Sequence, residues 1–173
     1  NLRREAVRSL TSFSPGTAQV AALLKDMVED KNPMVRSQVI RTLEEYGTAD
    51  QTTIEILVRA SKPALDGNTM GGAYERNFER FLTCKALEQY PRQLQSFLDN
   101  PASEKINSEN LLWAIQALPA GTKESAFLKL WPRLKIDKFS EYDFIFVAGM
   151  LENQVVFETV KPVIHNKDNA ALY

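Results

Sequence analysis

The residue types that most readily do chemistry are scarce in this chain. Cys84 is its only cysteine and His165 its only histidine. A reactive thiol needs a neighbouring cation or helix N-terminus to lower its pKa. In "FLTCKAL" only the neighbouring Lys85 is a cation, and the repeat register makes Cys84 read as a small core residue rather than an activated thiol. His165, in "KPVIHNKDN", could titrate near neutrality or ligate a metal, but no second histidine or cysteine stands at ligand spacing. Carboxylates occur close together as Glu44 with Glu45 and Glu75 with Glu79; without a cleft to separate their environments they read as solvated helix faces. The glycine-rich "GNTMGG" lacks the Lys-Ser/Thr that completes a phosphate-binding loop. No catalytic, metal or cofactor residue is assigned. What remains is recognition chemistry: "AYERNFER" carries Tyr74, Arg76 and Arg80, and Trp113 stands farther along. An aromatic ring with guanidinium groups near it suits contact with a partner.

Composition narrows the classes. The 173 residues are 44% hydrophobic and 25% charged, enough to bury a sizeable core. Twenty-one basic and twenty-two acidic side chains leave a net charge of −1, so no whole-chain field favours nucleic acid or anionic lipid. No apolar run approaches the roughly 18 residues of a membrane span. A single cysteine forbids an internal disulfide but leaves the compartment open. The opening "NLRREAVRSL" has neither initiator Met nor signal-like apolar region, and reads as part of a longer or processed polypeptide.

The elements that position these residues are helices in pairs. In "DKNPMVRSQVIRTLEEYG", Pro33 suits the first turn of a helix, with Asp30 or Asn32 as its cap. Val35, Val39, Ile40 and Leu43 then form one apolar stripe, and Gly47 is expected to leave in a left-handed conformation. The pattern Leu2, Arg3, Ala6, Val7, Arg8, Leu10 recurs 33 positions later as Val35, Arg36, Val39, Ile40, Arg41, Leu43. Between them, Val20, Leu23, Leu24, Met27 and Val28 predict a further helix, answered by Ile54, Leu57 and Val58. The last leucines of the second helices are Leu10, Leu43, Leu87, Leu118 and Leu151, separated by 33, 44, 31 and 33 positions. Such a period predicts an all-α superhelix, a solenoid of about five helical pairs in one domain over residues 1–173. The same register decides for helix in "DFIFVAGML", whose composition alone could be a strand, with Ser140 and Asp143 as a capping-box-like start. Val155, Val156 and Val160 begin an incomplete last pair before Pro162.

The "DKNPMVR" stretch resembles the Asp-x-x-Pro-x-Val-Arg that opens the second helix of HEAT repeats; the other copies lack the Pro-Val-Arg portion. The resemblance implies that Asp30, Pro33 and Arg36 are structural repeat positions, and that Arg36, with Arg3 and Arg80 in equivalent places, forms a polar ladder between repeats. Two longer stretches, "AYERNFERFLTCKALEQYPRQLQSFLDN" and "INSENLLWAIQALP", resemble the HEAT-like region of large secreted planctomycete, verrucomicrobial and Bacteroidetes proteins. In those, a sugar-dehydrogenase-like propeller and a haem-binding cytochrome module can share the chain. That resemblance implies a spacer or docking arm in a periplasmic or extracellular protein, although Cys-x-x-Cys-His is absent here.

The register also sorts the candidate residues. Cys84 aligns with Val7, Ile40, Ile115 and Ala148, which makes it core, whereas Trp113 aligns with Glu5, Gln38 and Leu82, which puts its indole at the rim. Phe78, Phe81, Phe97, Phe127, Trp131, Phe144 and Phe146 are expected between helices. The excess in the 44-residue interval falls at about residues 61–73, an insertion that is either a connector or a contact for a partner or carbohydrate. The function expected is a non-catalytic protein-interaction scaffold or spacer, whose partner is another protein or a neighbouring domain of the same chain. Two alternatives stay open: a stand-alone intracellular adaptor, and an accessory domain shaping substrate access to a catalytic domain on the same chain.

Overall fold

The computed structural model describes residues 2–13, 17–61 and 72–164, and every regular element among them is helical. The α-helices are α1 (Leu2–Ser9), α2 (Thr17–Leu24), α3 (Pro33–Tyr46), α4 (Gln51–Ala60), α5 (Gly72–Leu87), α6 (Pro91–Leu98), α7 (Ser108–Ala114), α8 (Thr122–Leu130), α9 (Glu141–Ala148) and α10 (Gln154–Ile164). Short 3₁₀ turns follow several of them. The chain divides into two compact units, Asn1–Leu118 and Pro119–Tyr173.

In the first unit α1, α3, α5 and α7 pack in succession as one layer, and α2, α4 and α6 as the other, with α4 also against α3, α5 and α7. This is the paired-helix solenoid. The apolar stripes meet between the layers: Val35, Val39, Ile40 and Leu43 of α3, Ile54, Leu57 and Val58 of α4, Leu94 of α6 and Leu111 of α7 are all buried. The opening of α3 follows its sequence. Pro33 takes the first helical position, Asn32 Oδ1 accepts the Met34 N–H at 2.9 Å, and Asp30 Oδ1 accepts the Asn32 N–H at 2.8 Å.

The exit from α3 differs from expectation. Gly47 is extended, with φ −65° and ψ 148°, rather than left-handed. Its role is close approach: a Cβ there would lie 2.2 Å from the Leu43 carbonyl oxygen and 3.0 Å from Thr53 Cγ2. The turn that follows is closed by Asp50, whose carboxylate accepts the Thr53 N–H at 2.8 Å and the Thr48 hydroxyl. Burial pushes the Asp50 carboxyl up, but the hydrogen bonds from Thr48, Thr53 and Thr52 outweigh it and hold the pKa below its ordinary value. Tyr90, at the start of α6, donates its hydroxyl to the Gly47 carbonyl at 3.1 Å. Burial, followed by the nearby charges of Asp50 and Glu44, raises the Tyr90 pKa.

The second unit contains α8, α9 and α10, with α10 packed on α8 and a core of Phe127, Leu130, Val147, Met150, Val156 and Val160. Gly121, at φ 83°, precedes α8 and gives its N–H to the Glu124 carboxylate. The start of α9 uses the expected pair: Ser140 donates its N–H and its hydroxyl to Asp143 Oδ2, each at 2.7 Å. Helix α10 continues past the expected stop and carries Pro162 inside its last turn, where a missing N–H costs little further helix. No helix among the described residues is long and apolar enough to cross a membrane, and none of their His, Cys, Asp and Glu side chains form a group of three that could hold a metal.

Candidate functional site

The three motif residues at the head of α3 converge on one another. Arg36 is 1% exposed. Its Nε and Nη2 donate to Glu79 Oε1 of α5 at 2.9 and 2.5 Å, while Nη1 donates to the carbonyls of Asp30 at 2.7 Å and Lys31 at 3.2 Å. Asp30 also pairs with Arg3 of α1 at 3.2 Å. A guanidinium buried with a carboxylate and two carbonyls has its charge matched, and this network ties α1, α3 and α5 together.

Arg80 does not join that ladder. Glu79 takes the place opposite Arg36, and the Arg80 guanidinium lies over the Trp113 ring of α7, 3.8 Å from its centroid. Both side chains are half-buried. Two of the residues singled out for recognition are therefore brought into contact. Tyr74 and Arg76 stand in the first turns of α5, and their side chains lie outside the described residues, as does the insertion over 62–71. His165 also falls outside them.

The displacement of Arg80 belongs to a one-residue slip of α5. Over residues 79–84 burial follows α3 at a spacing of 43, not 44: Glu79 is buried like Arg36, Leu82 like Val39 and Thr83 like Ile40, whereas Phe81 faces outward like Gln38. Cys84 and Lys85 are adjacent surface positions that absorb the extra residue, after which Ala86 and Leu87 match Thr42 and Leu43. Cys84 is consequently half-buried, with Sγ 3.7 Å from Glu88 Oε1, rather than core. Phe81 is not packed between helices but 62% exposed.

The slip creates the outward row Gln38, Phe81 and Trp113 on successive helices α3, α5 and α7. One turn away, Phe78 is half-buried with the Arg41 guanidinium 5.9 Å above its ring, and Met34 of α3 is 47% exposed. Aromatic and thioether surface flanked by guanidinium groups can bury apolar side chains of a partner and donate hydrogen bonds to its carbonyls or carboxylates. Sequence spacing named Trp113 and Arg80 as candidates and did not name Phe81, whose exposure depends on the slip of α5, nor Phe78, Arg41 and Met34.

Another polar side chain missed from sequence sits one position before Leu111. Asn110 of α7 is buried and donates Nδ2 to the carbonyls of Val58 at 3.1 Å and Arg59 at 2.9 Å, while the Ser61 hydroxyl lies 3.0 Å from the Asn110 carbonyl. It satisfies two carbonyls at the end of α4.

Residues 1–66 match the family model for HEAT repeats. Comparison with curated proteins and with solved structures found no match. The matched span covers α1 to α4 and includes the Asp30, Pro33 and Arg36 motif.

Proposed function

We propose that the chain is a non-catalytic scaffold that docks a protein segment, or a neighbouring domain of the same polypeptide, on the outward face of α3, α5 and α7. The observation that carries this reading is Phe81, a phenylalanine 62% exposed on α5 next in sequence to Arg80, whose guanidinium lies over the Trp113 ring. An aromatic side chain gains about 1.5–3 kcal/mol on full burial, so a partner that covers Phe81 collects an anchor-sized contribution. HEAT repeats at the start of the chain support a binding rather than a catalytic role. If the resemblance read in residues 73–100 and 106–119 to the HEAT-like region of large secreted bacterial proteins holds, the parent is extracytoplasmic and this segment is its arm.

A photo-crosslinking residue placed at position 81 of the native parent polypeptide tests the face, with position 92, exposed on α6, as the control. A protein or domain crosslinked from 81 but not 92, whose purified form binds at least tenfold more weakly to Phe81→Ala and Trp113→Ala, is the expected result. Equal crosslinking from both positions, or unchanged affinity in both variants, would sink the proposal. A visible spectrum of the reduced and oxidised parent tests the context separately: a Soret band favours the secreted redox protein, and its absence favours a stand-alone adaptor.

A further inference from the structure

We infer that the second unit holds a binding site for a small uncharged apolar molecule about the size of one aromatic ring. A half-open apolar pocket of about 170 Å³ lies between α9, α10 and the turns that precede α9. Its walls are apolar side chains, among them Trp131, Phe139, Phe144, Val147 and Val160. Phe139 and Phe144 make a tilted ring pair, with centroids 5.3 Å apart, that shapes one wall. Val147 and Val160 are buried, while Ala148, which also lines the pocket, is exposed.

Size and chemistry together select the occupant. An apolar cavity of roughly 150 Å³ holds one benzene and is a poor host for water, which needs two or more polar partners. A charged or strongly hydrogen-bonding ligand would lose its hydration without replacement here. Drug-sized ligands need roughly 300 Å³ or more. The site therefore takes a single-ring aromatic or a hydrocarbon of similar bulk. It is distinct from the docking face, since all its lining residues lie within the second unit.

The two tryptophans provide an internal control, because Trp131 lines the cavity and Trp113 lies on α7 of the first unit. Toluene titrated into the full ¹⁵N-labelled chain should move the Trp131 indole N–H resonance saturably and leave Trp113 still. The much bulkier 1,3,5-triisopropylbenzene should move neither. Ala148→Phe, at an exposed position, should abolish the toluene response with the melting temperature unchanged. A response that never saturates, that moves both indoles alike, or that is as large for the bulky probe would overturn the assignment. So would a phenylalanine-containing tripeptide that moves Trp131 at tenfold lower concentration than toluene, since the cavity would then be an anchor for a protein side chain.

Discussion

Arg36 shows how much of this fold rests on single polar side chains. Its guanidinium is buried against Glu79 and two carbonyls, so removing it breaks a buried ion pair and takes the donor from both carbonyls. Arg36→Met should therefore destabilise the first unit by about 3–5 kcal/mol, more than the loss of one hydrogen bond, because one partner of a buried ion pair is removed. Urea unfolding followed by circular dichroism would measure it; a loss under about 1 kcal/mol would mean that water or another cation reaches Glu79. Asn110 is the neutral counterpart. Asn110→Ala should cost about 1–3 kcal/mol by removing two buried hydrogen bonds to the Val58 and Arg59 carbonyls, whereas Phe81→Ala, at an exposed site, should stay within about 0.5 kcal/mol. That contrast separates residues kept for the fold from one kept for contact.

At the scale of an element, the turn between α3 and α4 concentrates backbone geometry, capping and a titratable group within a few residues. Gly47→Ala should destabilise by about 1–3 kcal/mol because the new Cβ meets the Leu43 carbonyl, and no side-chain rotation relieves a clash with backbone. Asp50 adds a pH dependence. Its folded pKa is lowered, so its contribution is present above the unfolded carboxylate value of about 3.9 and fades as pH falls through the folded value. Asp50→Asn should retain the cap at pH 7 and flatten this acid limb, while Asp50→Ala should cost about 1 kcal/mol at pH 7. Urea midpoints at pH 7 and pH 3 for the three proteins would show it; an equally steep acid limb in Asp50→Asn would place the dependence elsewhere. The sequence announced α3 well, since Asn32, Pro33 and the apolar stripe are local signals. It announced α5 less well. Leucine anchors locate a helix end but do not report a one-residue slip inside the helix, and only packing against α3 decided that Glu79 and Phe81, rather than Arg80 and Leu82, take the inward and outward places. Gly47 misled for a related reason, because glycine satisfies positive φ and close approach alike.

Across the first unit, side chains tie helices that are not neighbours in sequence: Arg36 of α3 to Glu79 of α5, Tyr90 before α6 to Gly47 after α3, and Asn110 of α7 to the end of α4. Solenoid stability is a sum of intrinsic repeat terms and nearest-neighbour interfaces, and unfolding becomes stepwise when the interfaces are weak. Here the α3–α5 and α4–α7 interfaces each carry a buried polar tie in addition to apolar packing. Each interface then costs more to break than a single pair gains by staying folded alone, which favours one cooperative transition. Hydrogen exchange across a denaturant series should give buried amides of α3, α4, α5 and α7 a common opening free energy. In Arg36→Met that value should fall for all four helices together, by about the global loss measured in urea. A ladder of separate values from α3 to α7, or a fall confined to α3 and α5, would show that apolar packing sets the cooperativity and that the polar ties act only locally.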